Sequence, residues 1–238
     1  MELKAPLTFA TLADTCRLVP TRFPPVGILD EVASPADLEL MFELESWTND
    51  RIAAELGLLH RVPVSEWVVG RPMASVIMAP FCHPRPGGGR FNGADRGAWY
   101  AGFQLETAHA EVVYHRTVEL LEIGVLETRI QMRLYKADFE DEFHDVRAHR
   151  KMYQPLYDPL SYTASQSFGQ ALRHGGSNGI LYRSVRHEGG ECIACFRPTL
   201  VRNVRAGDHF EYRWSGTRVP TITRLPGKAH RKRSSTST

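Results

Sequence analysis

The chain has 238 residues, of which 42% are hydrophobic and 24% charged, and this composition is typical of a globular protein with a full core. Its 29 lysines and arginines nearly balance its 27 aspartates and glutamates, so the net charge indicates no particular partner. No stretch of about 18 apolar residues occurs. We therefore expect neither a membrane-spanning helix nor a membrane partner.

The first ten residues hold an apolar run that is too short and too interrupted for a signal peptide. Four cysteines without an export signal predict reduced thiols in a cytoplasmic protein. Cys192 and Cys195 have the spacing of a metal or redox pair, but they lie in a predicted strand, where residues three apart point to opposite faces. Cys82-His83 is a weak candidate for a second pair, and a closed zinc site needs four ligands. We expect two small core residues and no metal.

The first third of the chain is predicted to contain an extended segment, a helix and a strand. Residues 14–33 are rich in proline, which favours an extended segment and a turn. Ser34 followed by proline is typical of a helix start, and this helix is expected to continue towards Gly57. The apolar run at residues 75–79 resembles a strand, and residues 84–89 form a loop.

The stretch that follows carries the strongest functional pattern in the chain. A glycine run at residues 87–89 would let the backbone approach a ligand closely, and Arg90 offers a fork of donors suited to phosphate or carboxylate. Tyr100 lies in a short aromatic strand, and Glu111 in a helix that begins at Leu105. This order suggests an anion clamp, an aromatic platform and a buried acid. A surface turn, a solvated arginine and an exposed glutamate remain the alternative.

The position of Glu111 on its helix favours the functional interpretation. The apolar residues of the helix form one stripe, and Glu111 lies beside Ala108 at the margin of that stripe. The stripe consists of Leu105, Ala108, Val112 and Val113. A carboxylate at the edge of a core either has a partner or is retained for its chemistry.

The remaining elements point to an α+β fold with antiparallel or mixed sheets and flanking helices in a single domain. Several hairpins and helices succeed one another after Gly124, which is expected to end the central helix. They are a half-buried strand at residues 128–139, an irregular segment with a helical turn at 140–158, a helix from Ser161 through Leu172 that stops at Gly175-Gly176, a hairpin of 179–186 with 191–197, and a last hairpin from 209–214 with its turn at 215–217.

Two further side chains are candidates because of their relation to Glu111. His115 lies one helical turn beyond it and could orient the carboxylate, or it could be a half-buried histidine without a chemical role. Ser184 has no Gly-x-Ser-x-Gly motif around it, so a hydrolase nucleophile is not indicated. A serine buried in an apolar strand needs a hydrogen-bond partner, and Glu111 could supply one.

Taken together, the ordered motifs resemble the RES domain, the toxin half of RES–Xre toxin–antitoxin pairs. The resemblance covers roughly residues 14–214 and divides the chain into an N-terminal extension (1–13), a RES domain (14–220) and a basic disordered tail (221–238). The motifs that carry it are Arg17-Leu-Val-Pro, Gly89-Arg90-Phe91-Asn92, Tyr100, Ala110-Glu111-Val112, and Gly179 to Arg186 with Phe196-Arg197-Pro198.

The resemblance implies a fold related to ADP-ribosyltransferases and an activity that cleaves NAD between nicotinamide and ribose. Matched by motif, Arg90 and Arg17 would bind the pyrophosphate and Tyr100 would pack on the nicotinamide ribose or ring. Glu111, held by Ser184, would stabilise positive charge on the ribose, and no metal is needed. The resemblance also implies a homodimer and an Xre-type antitoxin, with nucleic acid contacted only through that antitoxin.

Other functions remain open on the sequence. The acceptor of ADP-ribose could be water, phosphate or a protein target, the last making the chain an ADP-ribosyltransferase. A catalytically inactive dinucleotide-binding module would keep the fold without the reaction. A nucleic-acid binder acting through Arg231-Lys232-Arg233 is the third possibility, although that tail lacks interleaved aromatic residues.

Overall fold

The computed structural model describes residues 4–21, 28–31, 34, 58–148 and 151–226. Within these ranges the chain forms strands β1 to β7, helices α1 to α4 and four short 3₁₀ turns. The strands are β1 (Leu7–Pro20), β2 (Trp99–Gly102), β3 (Glu127–Asp145), β4 (Gly179–Arg183), β5 (Glu191–Cys195), β6 (Arg202–Ser215) and β7 (Thr221–Leu225). The helices are α1 (Ile28–Glu31), α2 (Ala74–Cys82), α3 (Leu105–Glu122) and α4 (Thr163–His174). The 3₁₀ turns are Leu58–Arg61, Val64–Glu66, Gln154–Tyr157 and Pro198–Leu200.

The strands form one mixed sheet in the order β1-β2-β5-β4-β3-β6-β7. β1 also pairs with β3, so the first five strands of this order close into a ring, and β6 and β7 extend the sheet from β3. Only the β3–β4 pairing is parallel among the described strands. The predicted α+β class with a mixed sheet and flanking helices is confirmed.

β3 is longer than the sequence predicted. The strand expected at residues 128–139 continues to Asp145, so the irregular segment predicted from residue 140 is wrong for its first six residues. Phe139 and Phe143 are buried while the acidic residues between them face outward or are partly covered. The backbone of this extension pairs with residues 7–11 of β1, a partner distant in sequence that local charge patterning does not reveal.

The apolar run at residues 75–79 belongs to helix α2 and not to a strand, so that prediction is wrong. A short apolar run has no periodicity of its own, and tertiary packing decides its conformation. The buried residues follow a helical spacing: Ala74, Ile77, Met78, Phe81 and Cys82. Asp30 caps the helix, since its carboxylate accepts hydrogen bonds from the backbone N–H groups of Met73 (2.9 Å) and Ser75 (2.7 Å).

The hairpins and the later helix agree with the sequence more closely. β4 and β5 pair antiparallel as predicted, and α4 ends at His174, directly before the predicted Gly175-Gly176 stop. α3 ends at Glu122, and Gly124 follows with φ +70°, the left-handed conformation expected after a helix. The helix predicted from Ser34 towards Gly57 lies almost wholly outside the described residues.

The predicted RES domain of residues 14–220 leaves out parts of the sheet at both ends. The boundary after residue 13 lies within β1, whose pairing with β3 starts at Leu7. Residues 221–225 form β7, paired with β6, so the predicted disorder is wrong for that part of the tail. Residues 227–238, including Arg231-Lys232-Arg233, lie outside the described part of the chain.

The four cysteines are free and buried. Cys192 and Cys195 lie in different core clusters on opposite faces of β5, as predicted for two core residues. Burial raises the pKa of the Cys82 and Cys195 thiols to about 12, which leaves them protonated at neutral pH. In the described residues, no helix is long and apolar enough to cross a membrane, and no group of His, Cys, Asp and Glu side chains could hold a metal ion.

Candidate active site

A cavity of about 570 Å³ opens between β1, β2, helix α3 and the loop of residues 83–92. Its volume is in the range of pockets that hold small molecules and cofactors, about 300–1,000 Å³. Four of the five predicted site residues line it: Arg17, Arg90, Tyr100 and Glu111. The fifth, Ser184, contacts Glu111 and lines a second depression of about 500 Å³.

Helix α3 carries Glu111 to the cavity because its apolar stripe is fixed on the sheet. Leu105, Ala108, Val112 and Val113 pack in the cluster formed with β1, β3 and β6, which confirms the stripe predicted from sequence. The Glu111 side chain is about 25% exposed at the margin of this contact. Ser184, directly after β4, donates its hydroxyl proton to Glu111 Oε1 at 2.6 Å.

The other hydrogen bonds of Ser184 explain why its hydroxyl proton points towards Glu111. Its Oγ accepts the backbone N–H groups of Arg186 and His187, each at 3.0 Å. Two accepted bonds occupy both lone pairs of the hydroxyl, so its single proton is given to Glu111. The serine therefore orients the carboxylate and has no lone pair left for nucleophilic attack.

His115 lies on the other side of the carboxylate, with Nε2 3.9 Å from Glu111 Oε2. Burial, followed by the positive charges of Arg85, Arg186, Arg90 and Arg116, lowers the pKa of His115 to about 3. The imidazole is therefore neutral at physiological pH and forms no ion pair with Glu111.

Arg90 is buried, with 7% of its surface exposed. Its Nη1 donates to the backbone carbonyls of Leu156 and Asp158, both at 3.0 Å. Its guanidinium carbon lies 4.6 Å from the centre of the Tyr162 ring, a cation–π contact. Arg90 thus fixes the 156–162 segment through one nitrogen, and it also belongs to the lining of the cavity.

Tyr100 is hydrogen-bonded to the residues that follow the glycine run. The Tyr100 hydroxyl donates to Asn92 Oδ1 and accepts the backbone N–H of Phe91, each at 2.8 Å. Gly88 has φ +71°, and a Cβ on Gly89 would lie 2.6 Å from Asn92 Oδ1 and 2.8 Å from the Tyr100 hydroxyl. The space at Gly88 is therefore taken mainly by the backbone of Asn92 and Gly93, and the space at Gly89 by the side chains of Asn92 and Tyr100, where the sequence predicted close approach to a ligand.

Arg17 lies on β1 and lines the cavity. Its Nη1 donates to the Tyr100 carbonyl at 3.0 Å, and its guanidinium carbon lies 5.0 Å from the centre of the Trp99 ring. Burial, with a smaller effect of Arg85, lowers its pKa to about 10, so it remains charged at neutral pH.

The sequence did not predict that the segment of residues 156–162 contacts both Arg90 and helix α3. The Pro159 carbonyl accepts hydrogen bonds from the Tyr114 hydroxyl at 3.2 Å and from Arg186, whose guanidinium lies over the Tyr114 ring. The same segment carries Tyr162 onto Arg90. These contacts involve backbone carbonyls and residues far apart in the chain, so no local sequence pattern predicts them.

The fold and the cavity define a mixed α+β domain with an arginine-lined cleft and a carboxylate oriented by a serine. The profile of the RES domain family matches residues 58–215, and the chain belongs to the RES domain family. Arg17 lies outside the matched segment. The chain is 29% identical to the uncharacterized protein y4oC of Sinorhizobium fredii (strain NBRC 101917 / NGR234) over 208 residues, which cover 87% of this chain and 85% of that protein.

Among solved structures, the crystal structure of the M. tuberculosis MbcT–MbcA toxin–antitoxin complex is similar to the chain with a TM-score of 0.44 and 14% sequence identity. The match covers 84% of this chain and 86% of that chain.

Proposed function

We propose that this RES-family protein is a toxin-like enzyme that binds NAD in the arginine-lined cavity and cleaves the bond between nicotinamide and ribose. The observation that carries the proposal is the pairing of Glu111 with Ser184 at 2.6 Å on the cavity wall. Family membership supports it, and so does the placement of the residues matched to the RES motifs: Arg17, Arg90, Tyr100 and Glu111 line one cavity, and Ser184 contacts Glu111.

The chemistry follows from the charge that develops in the reaction. Nicotinamide leaves as a neutral molecule, so its departure needs no general acid, and positive charge gathers on the ribose in the transition state. A carboxylate fixed beside that ribose stabilises the charge without reorganising at the moment of reaction. Glu111 has this role, and Ser184 keeps the carboxylate in one orientation.

The cationic residues serve binding. Arg90 and Arg17 are charged, partly or fully buried, and line the same cavity, so they offer charge-assisted hydrogen bonds to the two phosphates of a dinucleotide. Tyr100 offers a ligand its ring and not its hydroxyl group, because the hydroxyl already donates to Asn92 and accepts from Phe91. The proposed reaction has no step that needs a metal ion.

The partners are proposed from family membership alone. The protein would form a homodimer, and an Xre-type antitoxin would block the NAD cleft and provide any contact with nucleic acid. Light scattering at micromolar concentration tests the dimer, since a mass near the 26.9 kDa of one chain would contradict it.

One experiment tests the reaction and separates the alternatives. Purified protein is incubated with NAD, with and without inorganic phosphate, and the products are identified by mass spectrometry. Nicotinamide with free ADP-ribose indicates hydrolysis, a phosphorylated ADP-ribose indicates phosphorolysis, and a protein adduct indicates an ADP-ribosyltransferase. Binding without nicotinamide release would identify an inactive dinucleotide-binding module, and neither binding nor release would refute the proposal.

A further inference from the structure

Arg85 forms an ion pair that crosses the cavity. It lies on the loop before the glycine run, and its Nη2 is 3.3 Å from Oε1 of Glu119 on helix α3. Both side chains line the cavity, and they are 45% and 39% exposed. The pair therefore connects two walls of the cleft at a position that solvent reaches.

Arg85 differs from the two arginines already assigned to phosphate binding. Arg17 donates to the Tyr100 carbonyl, and Arg90 donates to the carbonyls of Leu156 and Asp158. Moving either guanidinium would leave backbone acceptors without their partner, which is costly inside a protein. These two arginines are consequently fixed in position.

Arg85 can move at little cost. Its ion pair is exposed, and exposed pairs contribute little to stability. Glu119 also accepts a hydrogen bond from Arg116 Nη1 at 2.5 Å, so its carboxylate keeps a cationic partner when Arg85 leaves.

The charges of the lining favour an anion that brings two negative charges. Four arginines and two glutamates line the cavity, a net charge of +2 from these groups. The arginines are Arg17, Arg85, Arg90 and Arg116, and the glutamates are Glu111 and Glu119. A pyrophosphate diester carries one charge on each phosphate and matches this excess.

We propose that Arg85 is the mobile third member of the phosphate clamp and that Glu119 is an internal competitor for it. In the free protein Glu119 holds Arg85 at the mouth of the cavity. When the pyrophosphate enters, Arg85 transfers from the carboxylate to a phosphate oxygen, while Arg17 and Arg90 stay in place. This inference rests on the proposed binding of NAD. It adds Arg85 as a binding residue and Glu119 as the group that competes with the phosphate for Arg85.

The competition predicts opposite effects for the two partners. Arg85→Ala removes a charge-assisted contact to phosphate, so ADP-ribose binding should weaken about tenfold or more. Glu119→Gln keeps an acceptor for Arg116 but releases Arg85, so binding should tighten about two- to fivefold, the range expected for an exposed ion pair. In the double variant the gain should vanish, because no arginine remains to be released.

A double-mutant cycle tests this with ADP-ribose as the probe. Titration calorimetry gives its Kd for the parent, Arg85→Ala, Glu119→Gln and the double variant, and the KM for NAD is measured in parallel. Glu122→Gln, an exposed carboxylate on the same helix and outside the cavity lining, is the matched control and should leave the Kd unchanged. Circular dichroism establishes that each variant is folded.

The outcomes separate this inference from the proposed function. If Glu119→Gln fails to tighten binding, or still tightens it when Arg85 is absent, Glu119 is not a competitor and the inference is wrong. If ADP-ribose follows the predicted cycle but NAD is not turned over, the clamp stands and the catalytic proposal fails. If NAD is turned over but Arg85→Ala binds ADP-ribose like the parent, the catalytic proposal stands and the clamp fails. A parent protein that does not bind ADP-ribose refutes the clamp as well.

Discussion

Glu111 and Ser184 lie 73 residues apart in the chain, and the serine hydroxyl donates to the glutamate carboxylate at 2.6 Å. The serine oxygen is itself held by two backbone N–H groups that follow β4, so the orientation of the carboxylate depends on a turn of the sheet and not on helix α3 alone. The Glu111 side chain is thereby fixed from outside its own helix, which is the preorganisation that electrostatic catalysis requires.

Ser184→Ala should lower both stability and activity. The substitution leaves the N–H groups of Arg186 and His187 without their acceptor, and the free energy of unfolding should fall by about 1–3 kcal/mol. Nicotinamide release should slow because the carboxylate loses its orientation. Urea unfolding and product assays measure the two effects. Ser167→Ala, which removes an exposed hydroxyl bonded to its own helix, is the control and should change stability by less than about 0.5 kcal/mol.

Glu111→Gln separates charge from shape. The amide keeps the size and the acceptor for Ser184 but removes the negative charge, so turnover should fall on the order of 10²–10³-fold. NAD affinity should barely change, because the ground-state ribose is not the cation that the carboxylate serves. A folded variant that binds NAD and releases nicotinamide at the parent rate would rule out this mechanism. Glu106→Gln, in the first turn of the same helix, provides the control.

The position of Glu111 could be predicted from the sequence because it depends on local periodicity, whereas the full set of site residues followed from the resemblance to the RES motifs. The stripe of helix α3 placed Glu111 at a core margin. Ser184 was predicted inside the strand of residues 179–186, which is wrong, because β4 ends at Arg183 and Ser184 lies directly after it. The contacts of Arg90 could not be predicted, since its partners are the main-chain carbonyls of Leu156 and Asp158, which every sequence possesses. Helix α2 was missed because a short buried run is apolar on most faces, whether helical or extended.

His115 provides a test by pH. Its pKa in the folded protein is lowered to about 3 from an ordinary value of 6.5, mainly by burial. Between these values the unfolded chain binds a proton that the folded protein does not, so the contribution of His115 to stability is complete above pH 6.5 and decreases as the pH falls towards 3.

His115→Gln should therefore flatten the acid side of the stability profile, measured by urea unfolding at a series of pH values, and leave it unchanged above pH 6.5. Since the imidazole stays neutral, the rate of nicotinamide release should show no titration of this histidine near neutral pH. If the parent and His115→Gln show the same dependence of stability on pH between these values, the histidine titrates normally in the folded state and the expectation is wrong.

Arg90→Ala should lower both the stability of the protein and its affinity for NAD. Loss of the hydrogen bonds to Leu156 and Asp158 and of the contact with Tyr162 should lower the free energy of unfolding by about 2–4 kcal/mol. Loss of the phosphate contact should weaken NAD binding at least tenfold, while turnover of bound NAD changes less, because the pyrophosphate is held alike in the ground and transition states. Affinity is measured by calorimetry at a temperature where unfolding curves show the variant to be folded, and exposed Arg129→Ala serves as the control for removal of a positive charge. If stability falls but affinity is unchanged, Arg90 only supports the 156–162 segment and its assignment to the phosphate is wrong.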